Sequence, residues 1–164
     1  MTFAFENLLL TIDMIQRIQT VYLLVVAILM VVMMSASVGS FYTDKNICEI
    51  TNLSYTLPDG NVNYTPWALF AVLVVAAVVA LGTIFLYRKR MLQIRLTIFN
   101  TIVLIGYYLV LVYFVVNPDK AFDDYSFMPS WSVCLPLVSI ILNWLAIRAI
   151  GKDEMLVKAY ERLR

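Results

Sequence analysis

Few side chains in this 164-residue chain could do chemistry, and those few are scattered. Histidine is absent, which removes the commonest general base and the commonest metal ligand together. The two cysteines, Cys48 and Cys134, show no CxxC or zinc-type spacing, so a disulfide is the chemistry open to them. The acidic cluster of Asp119, Asp123 and Asp124 has no histidine partner; it solvates a loop or binds a divalent cation weakly. What remains is a pair of amides inside long apolar runs. Asn100 lies five residues after Arg95, and Asn143 lies five residues before Arg148, which puts them near one depth. Such groups make interhelical hydrogen bonds worth about 0.6 kcal/mol on average and up to ~2, or they form a polar substrate site. The chain is expected not to be an enzyme and to carry no cofactor or metal.

The elements that position these groups are membrane helices. Hydrophobic residues make up 62% of the chain and charged residues only 14%. A soluble domain has about half and about a quarter respectively, so the apolar surplus faces lipid. The formal net charge is +1, which gives nucleic acid nothing to hold and makes the lipid bilayer the first partner. A span needs roughly 20 apolar residues. Four stretches qualify, at about Ile18–Val38, Pro66–Tyr87, Leu96–Val116 and Ser130–Ile147. None contains Asp, Glu, Lys or Arg, which weighs against a pump or coupled transporter. Ala76, Ala80 and Gly106 are small enough to let helices approach closely. Pro136 interrupts the fourth span and predicts a kink, with the Ser132 carbonyl losing its usual partner.

Basic residues set the direction. Arg17, the cluster Arg88, Lys89, Arg90 and Arg95, and the tail residues Arg148, Lys152, Lys158, Arg162 and Arg164 all fall on one side. The other side holds Lys45 and Lys120 among six acidic residues. Both termini are therefore expected in the cytoplasm, with loops at about 39–65 and 117–129 facing out. The first apolar run is too long for a cleavable signal, although Ser35-Ala-Ser37 is a weak cleavage-like pattern. Trp67, Trp131 and Tyr42 mark the outer interface, Tyr87 the inner one, and Trp144 lies close to it.

The first outer loop, "ICEITNLSYTLPDGNVNYTPW", has β-branched and aromatic residues on both sides of Pro-Asp-Gly, and predicts a β-hairpin over about Ile47–Thr65. It places Cys48 on the same face as Cys134, where a bridge would tie the hairpin to the bundle; two free thiols are the alternative. Asn52-Leu-Ser and Asn63-Tyr-Thr match the glycosylation pattern on this exposed loop. At the other end, "GKDEMLVKAYERLR" reads as an amphipathic helix after a glycine break. Its acids come first and its bases last, and Met155, Leu156, Ala159, Tyr160 and Leu163 form an apolar stripe. That stripe rests on the bilayer or the bundle, or docks a partner. Residues 3–12 form a second short interfacial helix by the same reading.

The stretch "MIQRIQTVYLLVVAILM" and the tail "KDEMLVKAYERLR" resemble the two ends of a family of small Bacteroidota-type four-span membrane proteins, the domain of unknown function numbered 4293. The resemblance covers about Met14–Arg164 and implies a bacterial inner-membrane location. It implies no activity. It also divides the chain into an extension at 1–13, a four-helix transmembrane domain at 14–150 and a cytoplasmic amphipathic tail at 151–164. Either Met14 is the native start or residues 1–13 are an added segment.

The expected fold is an all-α membrane protein: a four-transmembrane-helix bundle with a small outer β-hairpin and a cytoplasmic C-terminal helix. Two functions fit it. The first is a non-catalytic accessory or scaffold subunit, with a membrane-protein partner or a second copy of itself. The second is a passive carrier or channel for lipid or a small hydrophobic molecule, lined by Asn100, Asn143, Ser139 and Tyr107.

Overall fold

The computed structural model describes residues 2–42, 47–57, 60–86, 89–117 and 126–162. Four helices dominate: α1 (Thr2–Ser35), α2 (Trp67–Phe85), α3 (Arg90–Val116) and α4 (Cys134–Arg162). Each packs on its two neighbours in the ring α1–α2–α3–α4–α1, so consecutive helices run antiparallel. Their inner stripes follow the helical period. On α1 the buried residues include Leu23, Val26, Met30 and Met33; on α2 they include Leu69, Leu73, Ala76 and Ala80. The outward faces stay apolar, with Val21, Ile28, Val78 and Leu109 all exposed. A helix that is apolar all round is made for lipid. All four are long and apolar enough to cross a membrane, over Ile18–Ser35, Trp67–Phe85, Arg90–Val116 and Trp131–Lys152, which is the layout of a multi-pass membrane protein.

The fold is not all-α. One end of the bundle is capped by a five-stranded antiparallel sheet in the order β4-β3-β2-β1-β5, from β1 (Ser37–Tyr42), β2 (Ile47–Thr51), β3 (Tyr55–Thr56), β4 (Val62–Asn63) and β5 (Ser126–Pro129). The expected hairpin is the β2–β3–β4 part of it. Gly60, at φ 80°, closes the last turn: its N–H donates to the Leu57 carbonyl, and the Leu57 N–H donates to that of Asn61. A glycine in the left-handed region suits such a turn; Pro58 and Asp59 lie outside the described residues. Two strands come from elsewhere. α1 stops at Ser35, sooner than the apolar run, and Ser37–Tyr42 continues as β1; β5 arrives from the second loop to pair with it. Inward side chains Val38, Phe41, Cys48, Ile50 and Tyr55 then join Met30, Met33, Leu69, Leu104 and Leu111 in one core.

Gly39 is where β1 and β5 meet most closely. A Cβ built there falls 2.6 Å from the Met128 carbonyl oxygen and 2.7 Å from the Phe127 ring. The carbonyl belongs to the paired strand and has nowhere to go. Gly39→Ala is expected to cost about 2–3 kcal/mol through overpacking, read as a lower midpoint in denaturant unfolding, with Ser40→Ala as the neutral control.

Other expectations change as well. Pro136 falls in the first turn of α4 and not in its interior, and there an N–H has no intrahelical acceptor to lose. A 3-10 turn at Trp131–Val133 precedes it, and the Cys134 N–H donates back to the Trp131 and Ser132 carbonyls. Gly151 does not break α4, which runs continuously to Arg162; likewise residues 3–12 are not a separate short helix but part of α1, which is continuous from Thr2. A Cβ at Gly106 would meet nothing within 4 Å, so that glycine is not a close-approach point, whereas Ala76 and Ala80 are buried between helices.

Candidate functional site in the bundle interior

The bundle interior away from the sheet mixes polar side chains with apolar ones such as Leu23, Ala80, Ala146 and Ile150. At the sheet end the inner stripe of α3 reads Leu104, Tyr107, Leu111; at the far end it reads Gln93, Thr97, Asn100. Gln19 of α1, Thr83 of α2 and Asn143 of α4 are buried in the same part of the bundle. Gln19 and Thr83 each lie sixteen residues from the sheet end of their helix, roughly 24 Å along the axis. Ile98 and Ile102 of α3 and Ile140, Ile141 and Ile147 of α4 line one outward-facing groove, which fixes the register of this antiparallel pair. That register brings Asn100 level with Asn143.

The hydroxyls here satisfy themselves on their own helices. Thr83 Oγ1 donates to the Val79 carbonyl at 2.6 Å, Thr97 to Gln93 at 2.8 Å, Thr101 to Thr97 at 2.9 Å and Ser139 to Leu135 at 3.0 Å. The amides have no such recourse. The Nδ2 and Oδ1 atoms of both Asn100 and Asn143, and Nε2 of Gln19, are buried without a hydrogen-bond partner. Asn100 is 1% exposed and Asn143 0%. The amide clasp expected between α3 and α4 is therefore not formed. Each buried polar group left unpaired costs about 1–3 kcal/mol, so packing alone does not account for these residues.

A second polar constellation lies at the sheet end and was not among the expected sites. The turn between β2 and β3 is closed by Thr51 and Ser54, with the Thr51 N–H on the Ser54 carbonyl at 2.8 Å. It drives Asn52 into the bundle, where it is fully buried. Its Nδ2 donates to the Met33 carbonyl at 2.6 Å, and its Oδ1 accepts from the Tyr107 hydroxyl at 2.7 Å. One side chain thus caps the C-terminal end of α1 and ties the sheet to α3. The available sequence signal is a Thr-Asn-Leu-Ser turn between β-type runs. Around it, the Ser132 hydroxyl donates to the Ser37 carbonyl, and Tyr108 donates to the Val133 carbonyl at 2.6 Å. Asn63 is also occupied, donating to the Tyr55 hydroxyl and accepting from Thr65. Both glycosylation-type asparagines hold structure.

The cysteines are free and stand apart. Cys48 is buried on β2, while Cys134 is exposed at the start of α4; β1 lies between β2 and the strand β5 that leads into α4. One strand spacing is about 4.8 Å, so the intervening strand keeps the pair beyond bridging reach. Burial also pushes the Cys48 thiol above its ordinary pKa, leaving less of the reactive thiolate. Maleimide is expected to modify Cys134 and spare Cys48 in the folded protein, with or without reductant, as mass spectrometry of the tryptic peptides will show.

Of the proposed docking tail, Met155 is exposed on α4. Leu156, Ala159 and Tyr160 lie in the same helix, Leu163 lies outside the described residues, and so do Asp119, Asp123 and Asp124. Trp67 and Trp131 are exposed at the sheet end; Trp144 is exposed further along, with the Arg148 guanidinium 4.8 Å from its ring centroid. No group of three metal-ligating side chains occurs among the described residues.

No curated protein matches the chain. A family profile does, over residues 15–163, in line with the resemblance read from the two ends of the sequence. By that match the chain belongs to the family described as Domain of unknown function (DUF4293).

Proposed function

We propose that this chain is a non-catalytic integral protein of a bacterial inner membrane and serves as an accessory or scaffold subunit of a membrane complex. The observation that carries the reading is the length of α1 and α4. They pack on each other, and both run past their uncharged apolar runs at the end away from the sheet, α1 from Thr2 to Arg17 and α4 from Arg148 to Arg162. Apolar helices of this kind need no such extension to cross the bilayer. The extension gives a partner additional helix to hold, and the sequence of the tail supplies an apolar stripe. The distribution of basic residues puts this end in the cytoplasm and the sheet outside. A membrane-impermeant maleimide added to spheroplasts then labels Cys134; labelling only after lysis would reverse the orientation.

The subunit reading is tested by capture from native membranes. The full chain is expected to bring down one membrane partner or a second copy of itself, and a chain stopped after Lys152 is expected to lose it. Recovery of monomer alone from mild extraction would sink the idea. The unpartnered amides favour a second reading, a passive carrier or channel, in which Asn100 and Asn143 contact the cargo.

A further inference from the structure

From the amides of the bundle interior we infer a binding site for a neutral polyol, held between Asn100 of α3 and Asn143 of α4. The inference rests on the carrier reading and gives it a cargo class. Its starting point is that the buried amide atoms of both residues are unpartnered, at one level, on adjacent antiparallel helices.

The chemistry of the surroundings narrows the guest. Among the described residues, the buried polar side chains of this half are Gln19, Thr83, Gln93, Thr97, Asn100 and Asn143, all uncharged. An ion here would lose its hydration with no opposite charge to meet it, so the guest is neutral. Each asparagine has both its donor and its acceptor side unmet. A ketone, ester or quinone oxygen only accepts, and would leave both amide carbonyls unpaired. A hydroxyl donates and accepts. One hydroxyl has a single O–H, however, and two carbonyls need donors. At least two hydroxyls are required, and neighbouring hydroxyls on one short carbon chain span two adjacent helices best.

Nearby protein hydroxyls do not compete, because Thr97, Thr101 and Ser139 already donate to carbonyls of their own helices. Depth adds selectivity. Asn100 is roughly 15 Å into α3, and the Leu73, Leu104 and Tyr107 layer lies on the sheet side of it. A guest is therefore held inside the bundle and sealed from the sheet end. The glycerol unit meets these terms, and it can come from two sources: a soluble polyol, or the headgroup of a neutral lipid such as a monoacylglycerol.

The test uses the full chain in phosphatidylcholine nanodiscs, free of sugar detergents. Saturation-transfer NMR with glycerol and native mass spectrometry with 1-monooleoylglycerol read binding from the two sources. A saturable signal with either probe is expected; Asn100→Leu or Asn143→Leu alone is expected to weaken it at least tenfold, and the double replacement to abolish it. Glycerol alone assigns the soluble source, and monooleoylglycerol alone assigns the lipid source; both outcomes support the site. Absence of signal with both probes overturns it, as does binding unchanged in the folded double variant or an experimental map showing water only between the amides. Should one single variant fail to fold, the other carries the comparison. Glycerol flux into proteoliposomes is measured in parallel: binding without flux leaves the site standing and removes the carrier reading.

Discussion

Replacing Asn52 by alanine is expected to destabilise the protein by about 3–5 kcal/mol, although Asn52 sits in a loop. Two strong hydrogen bonds converge on its amide, from Nδ2 to the Met33 carbonyl at 2.6 Å and from the Tyr107 hydroxyl to Oδ1 at 2.7 Å. Alanine removes both and leaves a carbonyl and a phenol buried with no partner. Water does not easily replace them, because Met33 and Tyr107 are both fully buried. Asn52→Asp keeps the acceptor for Tyr107 but cannot donate to Met33 and buries a charge, so it is expected to be no better than alanine. Tyr107→Phe removes one of the two bonds and is expected to cost about 1–2 kcal/mol. The two sites share a bond, so the double variant is expected to cost less than the sum of the singles. Unfolding in mixed micelles measures all four. A loss below about 0.5 kcal/mol for Asn52→Ala, the level of an ordinary surface change, would show that the latch carries no load.

The second large effect has the opposite sign. In polyol-free nanodiscs, Asn100→Leu with Asn143→Leu is expected to stabilise the bundle by about 2–4 kcal/mol. Four buried amide atoms without partners disappear, and two side chains of similar size take their place. Each single replacement is expected to give about half of the gain, because neither residue depends on the other for a bond. Adding a saturating guest closes the gap by stabilising only the native amides. Reduced stability of the double variant under polyol-free conditions would mean that the two asparagines bond to each other in the membrane.

The limits of local sequence pattern show at particular residues. The apolar runs of the second and third spans coincide closely with α2 and with the apolar part of α3, since lipid solvation is a sum over residues and is read in one window. Gly60 is legible for the same reason: its positive φ is a property of the turn itself. Ser37–Tyr42 is different. "SVGSFY" follows an apolar helix without a break in hydropathy, and it becomes a strand because β2 and β5 lie on its two sides. Strand formation depends on such neighbours more than on intrinsic preference. Asn52 illustrates the same point in a single side chain. Its type announces a surface turn, and its burial is decided by the end of α1 and by a tyrosine 55 positions later.

The sequence alone therefore determined that this chain is largely apolar, that it has four spans' worth of apolar helix, and which family it belongs to. Those properties are local and additive, and hydropathy together with two terminal motifs is enough to read them. The tertiary structure decided the rest. It joined two separate loops into one sheet, placed β1 between the cysteines, turned Asn52 into a latch and left Asn100 and Asn143 level but unpartnered. The reason is that a polar group's fate in an apolar interior depends on which distant backbone or side chain arrives within about 3 Å of it. Composition sets the medium; the meeting of distant segments sets the partners.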